Sequence, residues 1–330
     1  MIKNFNLIAN ENNLNFNQEF DFFDAHCHLQ EPEISWDIKA IMERWRQNRG
    51  KTIVCCGTKE SDWGTVGNIA SQYSNVLPCF GIHPWFVENV SEKWFYELDR
   101  YLDMRFNCTK NYYDNDHAIN YTMRNESQLK GFDIKTIKPF IGEIGLDNVI
   151  KNIDPVKQEL IFKTQMGMAR ERKIPVSIHI RKGWDILIKI LKKMGILEEG
   201  GLIHSYSGPA DLIPILEKYG LYISFSGSVT NSLNKKVQKS LKAVSPQRLL
   251  IETDSPAILP KYYISSLLSE HPETISNIKN FIFSTKLFEM GWNEPCNIFL
   301  VAIAVSEILG ITLYEVAHRT SMNGKELFLQ

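Results

Sequence analysis

The sequence predicts an α/β protein of the (β/α)8, or TIM-type barrel, class. Eight short apolar or β-branched runs recur along the 330 residues, and stretches of helical length separate them. This alternation is typical of repeated βαβ units with a parallel sheet. Polar and ionisable residues stand at the carboxyl ends of at least six runs, from the first to the last. Those ends meet at one mouth in a barrel, whereas in the competing fold, an open doubly wound sheet, they can lie far apart.

The predicted strands are, in chain order, FDFFDAH, KTIVCCG, NVLPCFGIHP, IKPFIGEIG, IPVSIHI, GLIHSYS, LYISFSG and RLLIETDSP. Helical patterns follow at 155–172, 184–194, 209–219 and 232–244. Residues 107–133 are Asn-rich and lack helical or strand periodicity, so we predict a surface insertion there. Residues 260–291 carry two aromatic-bearing segments, which we expect to cover part of the barrel mouth. No linker divides the chain, so we predict a single domain over 1–330 with its core at about 22–329.

The amino-acid composition bears on phosphate binding, on the state of the cysteines and on the location of the protein. The 37 Lys and Arg nearly balance the 38 Asp and Glu, so any binding of phosphate must be local rather than due to a global basic field. The six cysteines form no CxxC pair, which favours reduced core thiols over a disulfide framework. The N-terminal residues lack the apolar stretch of a signal peptide, and no run of 18 apolar residues occurs. We therefore expect a cytoplasmic protein, or a nuclear one in a eukaryote, with no membrane association and no obligate protein partner.

The segment FFDAHCHLQ, residues 22–30, contains two histidines that share one face of a strand. His26 and His28 can hold a metal ion or form a hydrogen-bonded pair at a strand end, and their spacing leaves both interpretations open. Asp24 has the same parity, and we expect its carboxylate to orient one imidazole by accepting the free N–H.

Four further ionisable residues end other predicted strands, and each alone has a structural explanation as a helix cap, a rim ion pair or a core histidine. Together with the first pair they place four histidines and two carboxylates at one mouth. Such a group is costly to desolvate unless a cation organises it. The sequence therefore predicts a metal site built from His26, His28, Glu143, His179, His204 and Asp254.

These motifs resemble the TatD family of metal-dependent deoxyribonucleases, within the amidohydrolase superfamily. The blocks FFDAHCHL, GIHPW, GEIGLD, SIHIR, HSYSG, ETDSP and NEP occur in family order over about residues 22–329. The resemblance implies a (β/α)8 barrel and a two-metal site at the six residues just named. It also implies hydrolysis of phosphodiester bonds in DNA, often from a 3′ end, with single-stranded DNA or DNA 3′ ends as the substrate.

On this resemblance, His26, His28 and Asp254 hold one divalent ion, His179 and His204 hold a second, and Glu143 bridges them. Two such ions can share a hydroxide whose pKa they lower. Asp254 and Glu143 are therefore the catalytic candidates, and Asp254 is placed to orient or deprotonate the water. Imidazole ligands favour Zn²⁺, Mn²⁺ or Fe²⁺, yet Mg²⁺ is abundant, so the identity of the metal stays open.

Four residues are candidates for binding the substrate. His83 and Arg181 match family positions near the scissile phosphate, with a turn residue and a rim salt bridge as their structural alternatives. Ser207 opens a turn whose backbone N–H groups could meet a phosphate. Trp85 stands where many relatives carry histidine, and it could stack on a base or pack under the 260–291 insertion.

Two other functions compete with DNA cleavage. A hydroxide shared by two ions also attacks carbonyl carbons, so the alternative is amidohydrolase-type hydrolysis of an ester or an amide. A non-catalytic scaffold is the third possibility, and the six intact ligand candidates argue against it. Glu294, in the NEP motif, is expected to be a structural anchor.

Overall fold

Eight parallel strands form the centre of the fold. The structure is a computed structural model that describes residues 20–109, 134–261 and 284–329. The sheet has the order β1-β2-β3-β6-β7-β8-β9-β10 and curves into a nearly closed barrel, so the predicted barrel and its eight strands are confirmed. The barrel strands are β1 Phe22–Cys27, β2 Gly50–Cys56, β3 Val76–Phe80, β6 Phe140–Asp147, β7 Val176–Arg181, β8 Gly201–Ile203, β9 Leu221–Phe225 and β10 Leu249–Ile251.

Helices follow most of the strands and cover the outside of the barrel. Residues at the helix starts explain where two of these helices begin. At the first, Asp154 accepts a hydrogen bond from the Val156 amide, and Pro155 is the first helical residue. At the second, Thr312 and Glu315 form a capping box. The helices in the described part of the chain are α1 Pro32–Ser35, α2 Ile38–Gln47, α3 Glu60–Gln72, α4 Trp94–Asp103, α5 Pro155–Arg172, α6 Trp184–Met194, α7 Ile213–Lys218, α8 Lys235–Leu241, α9 Thr285–Glu289, α10 Ile298–Leu309 and α11 Leu313–Phe328.

The first and last strands close the barrel through the residues that follow β10. The His26 carbonyl accepts from the Asp254 amide at 3.0 Å, and the His28 amide donates to the Ser255 carbonyl at 2.8 Å. Asp24 adds to this closure, because its carboxylate accepts from the Thr253 amide at 2.9 Å and from the Thr253 hydroxyl at 2.5 Å. The expectation that Asp24 orients an imidazole is therefore wrong, since both its oxygens bind Thr253 across the strand gap.

The two predicted insertions are only partly described. Residues 107–109 belong to β4, Phe106–Thr109, which pairs antiparallel with β5, Ile134–Ile137. The sequence does not predict this pair, because strands of four residues are too short to show a period of two, and the surface insertion at 107–133 stays a prediction. Residues 110–133 lie outside the described residues, as do residues 262–283 of the second insertion.

The NEP motif anchors the chain where the second insertion returns to the barrel. Glu294 accepts from the Arg44 guanidinium at 2.7 Å and from the Ser284 amide at 2.7 Å. It therefore ties α2 to the start of α9, in agreement with the expected anchoring role.

The core lies between the barrel and the helices around it, and α10 is the most apolar of the described helices. Residues 298–306 of α10 are all buried. Among the described residues no single helix has the length and apolar content to cross a membrane. One pair, 295–309 with 313–328, meets these criteria only when joined, and it bends by 111°. The five cysteines whose side chains are described are free and buried, as expected of core thiols.

Candidate metal centre

Glu143 lies at the centre of the site, buried on β6 near the carboxyl end of the barrel. Its two carboxylate oxygens face different partners. Oε2 lies 3.4 Å from Nε2 of His26 and 3.4 Å from Nε2 of His28. Oε1 lies 3.0 Å from Nδ1 of His179 and 2.8 Å from Nε2 of His204. One carboxylate therefore stands between two pairs of imidazoles.

Two glycines on the same strand allow this convergence. A Cβ atom at Gly142 would lie 2.7 Å from Cβ of Ser177, and one at Gly145 would lie 1.9 Å from the His179 carbonyl oxygen. Since β6 and β7 are neighbours, any larger residue at these positions would push the strands apart. The glycines thus keep the Glu143 carboxylate within reach of His179.

The first pair of imidazoles comes from β1 and the residue that follows it. Nε2 of His26 lies 3.2 Å from Nε2 of His28, as expected of residues two apart on one strand face. Asp254 completes this side of the site, with Oδ1 at 3.3 Å from Nε2 of His28 and 3.8 Å from Nε2 of His26. Asp254 adopts a φ of 53°, which aspartate tolerates better than most residues.

The second pair comes from β7 and from the end of β8. Nδ1 of His179 lies 3.1 Å from Nε2 of His204, and the His204 ring stacks on the His26 ring with centroids 4.1 Å apart. The two pairs are therefore neighbours in one continuous centre. In agreement, the potential ligand atoms of His26, His204 and Asp254 all lie within 4.8 Å of one another.

The other ring nitrogens of these histidines contact polar groups away from the centre. Nδ1 of His28 bonds the Cys56 carbonyl at 2.7 Å, and Nδ1 of His204 faces Glu252 at 3.3 Å. Nε2 of His179 faces Asp147 at 3.4 Å. A ring that donates its outer N–H to a carbonyl or a carboxylate keeps the inner nitrogen unprotonated, which is the state that binds metals.

His26 has a similar outer contact, because its Nδ1 lies 2.8 Å from the Ser177 hydroxyl. Two unprotonated inner nitrogens 3.2 Å apart, as in His26 and His28, repel each other unless a proton or a metal ion lies between them. The donor set of imidazoles and carboxylates therefore fits a divalent cation.

His83 differs from the other four histidines in its hydrogen bonds. Nδ1 accepts from the Trp85 amide at 3.1 Å, so a neutral ring carries its proton on Nε2, which lies 3.2 Å from Oε1 of Glu143. Burial lowers the pKa of His83 to about 4, although Glu143 opposes this, so the ring is neutral at pH 7. His83 is therefore a hydrogen-bond donor aimed at the centre, although its position also fits a ligand in a group with Glu143 and His179.

The buried carboxylates of the centre are ionised, so positive charge beside them is needed to stabilise them. Burial alone would raise the pKa of Glu143, but His83 and His204 hold it well below its ordinary value. Burial would lower the pKa of His28, yet Asp254 and Glu143 raise it to about 10. The same opposition raises the pKa of His204 well above its ordinary value. The carboxylates stay ionised, and His28 and His204 retain protons that a metal ion would replace, whereas burial and His204 lower the pKa of His26.

A second polar group lies beside the centre, around Asp147. The Trp85 indole N–H donates to Oδ2 of Asp147 at 2.7 Å, and the Arg181 guanidinium lies 3.3 Å from the same oxygen. Burial would raise the pKa of Asp147, but His179 and Trp85 hold it well below its ordinary value. The Trp85 side chain is 44% exposed, and Arg181 is exposed as well. Asp147 therefore fixes two side chains that still face solvent.

The structure thus brings together all six predicted ligands, with His83, Trp85 and Arg181 at their edge. Ser207 is exposed on the loop after β8, three residues beyond His204.

Three buried residues of the site were missed by sequence reasoning: Ser177, Asp147 and Glu252. Each has the strand parity of a predicted ligand, because Asp147 lies four residues after Glu143, Ser177 two before His179 and Glu252 two before Asp254. The period of two that groups His26 with His28 would have identified all three.

Comparison with known proteins places this centre in a family. The profile of the family described as TatD related DNase matches residues 23–329. YabD of Bacillus subtilis, an uncharacterised metal-dependent hydrolase, is 26% identical over 306 residues, which cover 93% of this chain and 98% of YabD. Human deoxyribonuclease TATDN3 is 24% identical over 310 residues, which cover 92% of this chain and 93% of TATDN3.

Solved structures of similar proteins have the same fold. The crystal structure of YJJV, a TatD homologue from Escherichia coli, superposes with a TM-score of 0.71 at 21% identity and covers 94% of this chain and 98% of its own. A TatD family hydrolase from Entamoeba histolytica gives 0.69 at 20% identity and covers 94% of this chain and 99% of its own. With a profile match over nearly the whole chain, and a buried centre of histidines and carboxylates at the barrel mouth, this protein belongs to the TatD-related DNase family of metal-dependent hydrolases.

Proposed function

We propose that the protein hydrolyses phosphodiester bonds in DNA, as a 3′-to-5′ exonuclease, with two divalent ions at the centre. The observation that carries the proposal is the division of Glu143 between two imidazole pairs, one on each carboxylate oxygen. One ion would be held by His26, His28 and Asp254, and the other by His179 and His204, with Glu143 common to both. Zn²⁺, Mn²⁺ and Mg²⁺ are the candidates.

Two bound ions would supply Lewis acidity and a lowered pKa for the attacking water. Asp254 orients that water by accepting a hydrogen bond from it. Its pKa is suited to this role, because burial raises it but His28 and His204 lower it below the ordinary value, so the carboxylate is ionised.

The remaining candidates act on the substrate. His83 presents its Nε2 proton to a phosphate or leaving-group oxygen, and its neutral state supports donation at pH 7. Arg181 offers the donors that Asp147 leaves unused to a phosphate oxygen. Trp85 offers the exposed face of its indole to a base, and Ser207 offers its loop backbone to a neighbouring phosphate.

DNA as the substrate is supported by family membership and by the human relative, which is named a deoxyribonuclease. The 3′-to-5′ direction rests on the family resemblance of the sequence. Hydrolysis of an ester or an amide is the alternative, because the same arrangement of charges would stabilise the tetrahedral intermediate of a carbonyl substrate.

A substrate panel separates the two functions. The purified protein, supplied in turn with Mg²⁺, Mn²⁺ and Zn²⁺, is assayed on single-stranded oligonucleotides labelled at the 5′ or the 3′ end, and on carboxylic esters and cyclic amides. We expect cleavage of DNA, with 5′-labelled products that shorten one nucleotide at a time. Turnover of the esters or amides without cleavage of DNA would replace the proposal by its alternative, and internal fragments from the outset would overturn the exonuclease mode.

A further inference from the structure

A basic stretch near the mouth is not used by the proposed chemistry. Between Lys218 and Ile251 the sequence has six basic residues and no acidic one, in a chain whose charges otherwise nearly balance. At the average density of the chain, about four acidic residues would be expected in these 34 positions. The stretch is therefore a local positive region.

The structure connects this stretch to the centre. The loop after β9 begins at Ser226, whose hydroxyl lies 2.7 Å from that of Ser205, the residue after His204. The next helix, α8, is tied to the loop that contains Ser207, since the Ser240 hydroxyl donates to the Gly208 carbonyl at 3.0 Å. The end of α8, around Ser240, thus lies beside the loop that follows the ligand His204, and the loop that leads into α8 starts beside the same residues.

One side of α8 packs on the barrel and the other side carries lysines. Val237, Ser240 and Leu241 are buried. Four lysines are exposed, and we call them the lysine face: Lys235, Lys236, Lys239 and Lys242. Three of them, Lys236, Lys239 and Lys242, follow one another at intervals of three residues, so they are neighbours along the helix surface and span about 9 Å at about 1.5 Å rise per residue.

Helix stability accounts for Lys239 and Lys242, which lie at the end of α8, but not for the other two lysines of the face. Lys235 and Lys236 occupy the first turn of α8, where positive charge opposes the helix dipole. Two acidic side chains lie on the elements before α8, and Glu307 is exposed on α10, which also packs against α8. Glu217 is bound to the amide and the hydroxyl of Ser245, and Asp211 is exposed. The lysine face therefore keeps a net positive charge toward solvent.

We propose that the lysine face binds the sugar–phosphate backbone of the nucleic-acid strand being cleaved, at phosphates several nucleotides from the scissile bond. The inference rests on the proposed function, because it needs a polynucleotide in the site. A row of lysines along a helix matches a chain of phosphates by charge and does not require base recognition. None of the four lysines is a candidate ligand, so we expect the lysine face to affect binding rather than chemistry.

The test removes three charges and keeps the side-chain length. The variant Lys236→Gln, Lys239→Gln, Lys242→Gln is compared with wild type on a single-stranded 20-mer and on bis(p-nitrophenyl) phosphate, at several salt concentrations. We expect KM for the 20-mer to rise at least about fivefold at low salt with kcat unchanged, and no change on the small diester. Each phosphate contact contributes about 0.7 to the slope of log affinity against log salt, so three lost contacts should flatten that slope by about two.

A matched control comes from α6, which also carries three exposed lysines. Two of them lie in its last turn, away from the mouth, and the third lies 3.9 Å from Asp185. The variant Lys189→Gln, Lys192→Gln, Lys193→Gln loses the same charge, so a general effect of net charge would change its kinetics equally. We expect this control to behave like wild type.

The outcomes separate this inference from the proposed function. Efficient cleavage of the 20-mer by the α8 variant, with unchanged KM and salt slope, would overturn the proposed binding of DNA by the lysine face. It would leave the proposed DNA cleavage unaffected. Equal losses in the α6 and α8 variants would overturn it as well. Absence of cleavage of both the 20-mer and the small diester by wild type would instead overturn the proposed function. In that case binding of a fluorescent 20-mer, measured by polarisation in both variants, still tests the lysine face.

Discussion

At the scale of single residues, each histidine of the site makes a hydrogen bond through the ring nitrogen that points away from Glu143. This bond distinguishes the candidate metal ligands from His83, which is a hydrogen-bond donor. His179 directs its outer nitrogen to a carboxylate, whereas the outer nitrogen of His83 accepts from a backbone amide. The same ring type therefore offers a lone pair in one case and a proton in the other. This difference depends on a contact between neighbouring loop residues that the sequence does not reveal.

Asp147 is the residue whose role is easiest to isolate. In Asp147→Asn the charge that holds Trp85, Arg181 and His179 is lost at constant size, so we expect metal affinity or activity to fall about 10- to 100-fold. Metal titration of activity, with thermal melting in parallel, measures this change.

Asp154→Asn is the control for Asp147→Asn, because Asp154 also accepts from the amide two residues on, but there its role is to cap the start of α5. An Asp147→Asn protein with wild-type metal affinity and kinetics would remove Asp147 from the site.

Arg181 tests whether a guanidinium beside the centre binds phosphate. Its ion pair with Asp147 joins an exposed guanidinium to a buried carboxylate. In Arg181→Lys the charge remains but the planar fork is lost, so we expect kcat/KM to fall on both oligonucleotides and bis(p-nitrophenyl) phosphate, with unchanged melting temperature.

Arg100→Lys is the matched control for Arg181→Lys, since Arg100 is an exposed arginine paired with Glu97 on α4. If both lysine variants retain wild-type turnover, Arg181 is only a rim salt bridge. A loss confined to oligonucleotides would move its contact to a neighbouring phosphate.

At the scale of secondary structure elements, the sequence contains nearly all that is needed to place the site. The eight strands are visible because buried parallel strands are apolar runs, and α5 and α6 have the predicted bounds. The β4–β5 pair is too short to predict, and the closure of the barrel by Asp24 depends on contact with Thr253, 229 residues away in sequence. Contacts of such separation leave no periodic signal in the chain.

Closure by Asp24 has a measurable consequence. In Asp24→Ala the buried Thr253 amide loses its partner, and an unsatisfied buried donor costs about 1–3 kcal/mol. We expect the free energy of unfolding, from urea denaturation of the metal-free protein, to fall by at least that amount. Asp24→Asn keeps an acceptor for the amide and should retain most of the stability. Equal stability of the alanine variant and wild type would show that the strand ends close without Asp24.

At the scale of the whole molecule, a chain with a net charge of −1 combines a cation-binding centre with a local basic surface. The metal centre demands positive charge inside the mouth, and the lysine face presents positive charge outside it. Because the residues outside the lysine face include 33 Lys and Arg against 38 Asp and Glu, a net charge of −5, an anionic substrate would be attracted mainly at this mouth. The cytoplasmic location and the single domain over residues 1–330 stay predictions from the sequence.

The central claim, that two metal ions joined by Glu143 cleave DNA, is tested most directly by measuring bound metal and cleavage on the same samples. Metal-depleted wild type is titrated with Mn²⁺ or Zn²⁺, the bound ions are counted by elemental analysis, and cleavage of an end-labelled oligonucleotide is followed. We predict no cleavage after chelation and recovery that saturates at two ions per chain. Glu143→Ala should fold normally and lose several orders of magnitude in rate. Undiminished cleavage in chelator, or a folded Glu143→Ala protein with more than about a tenth of the wild-type rate, would contradict the account.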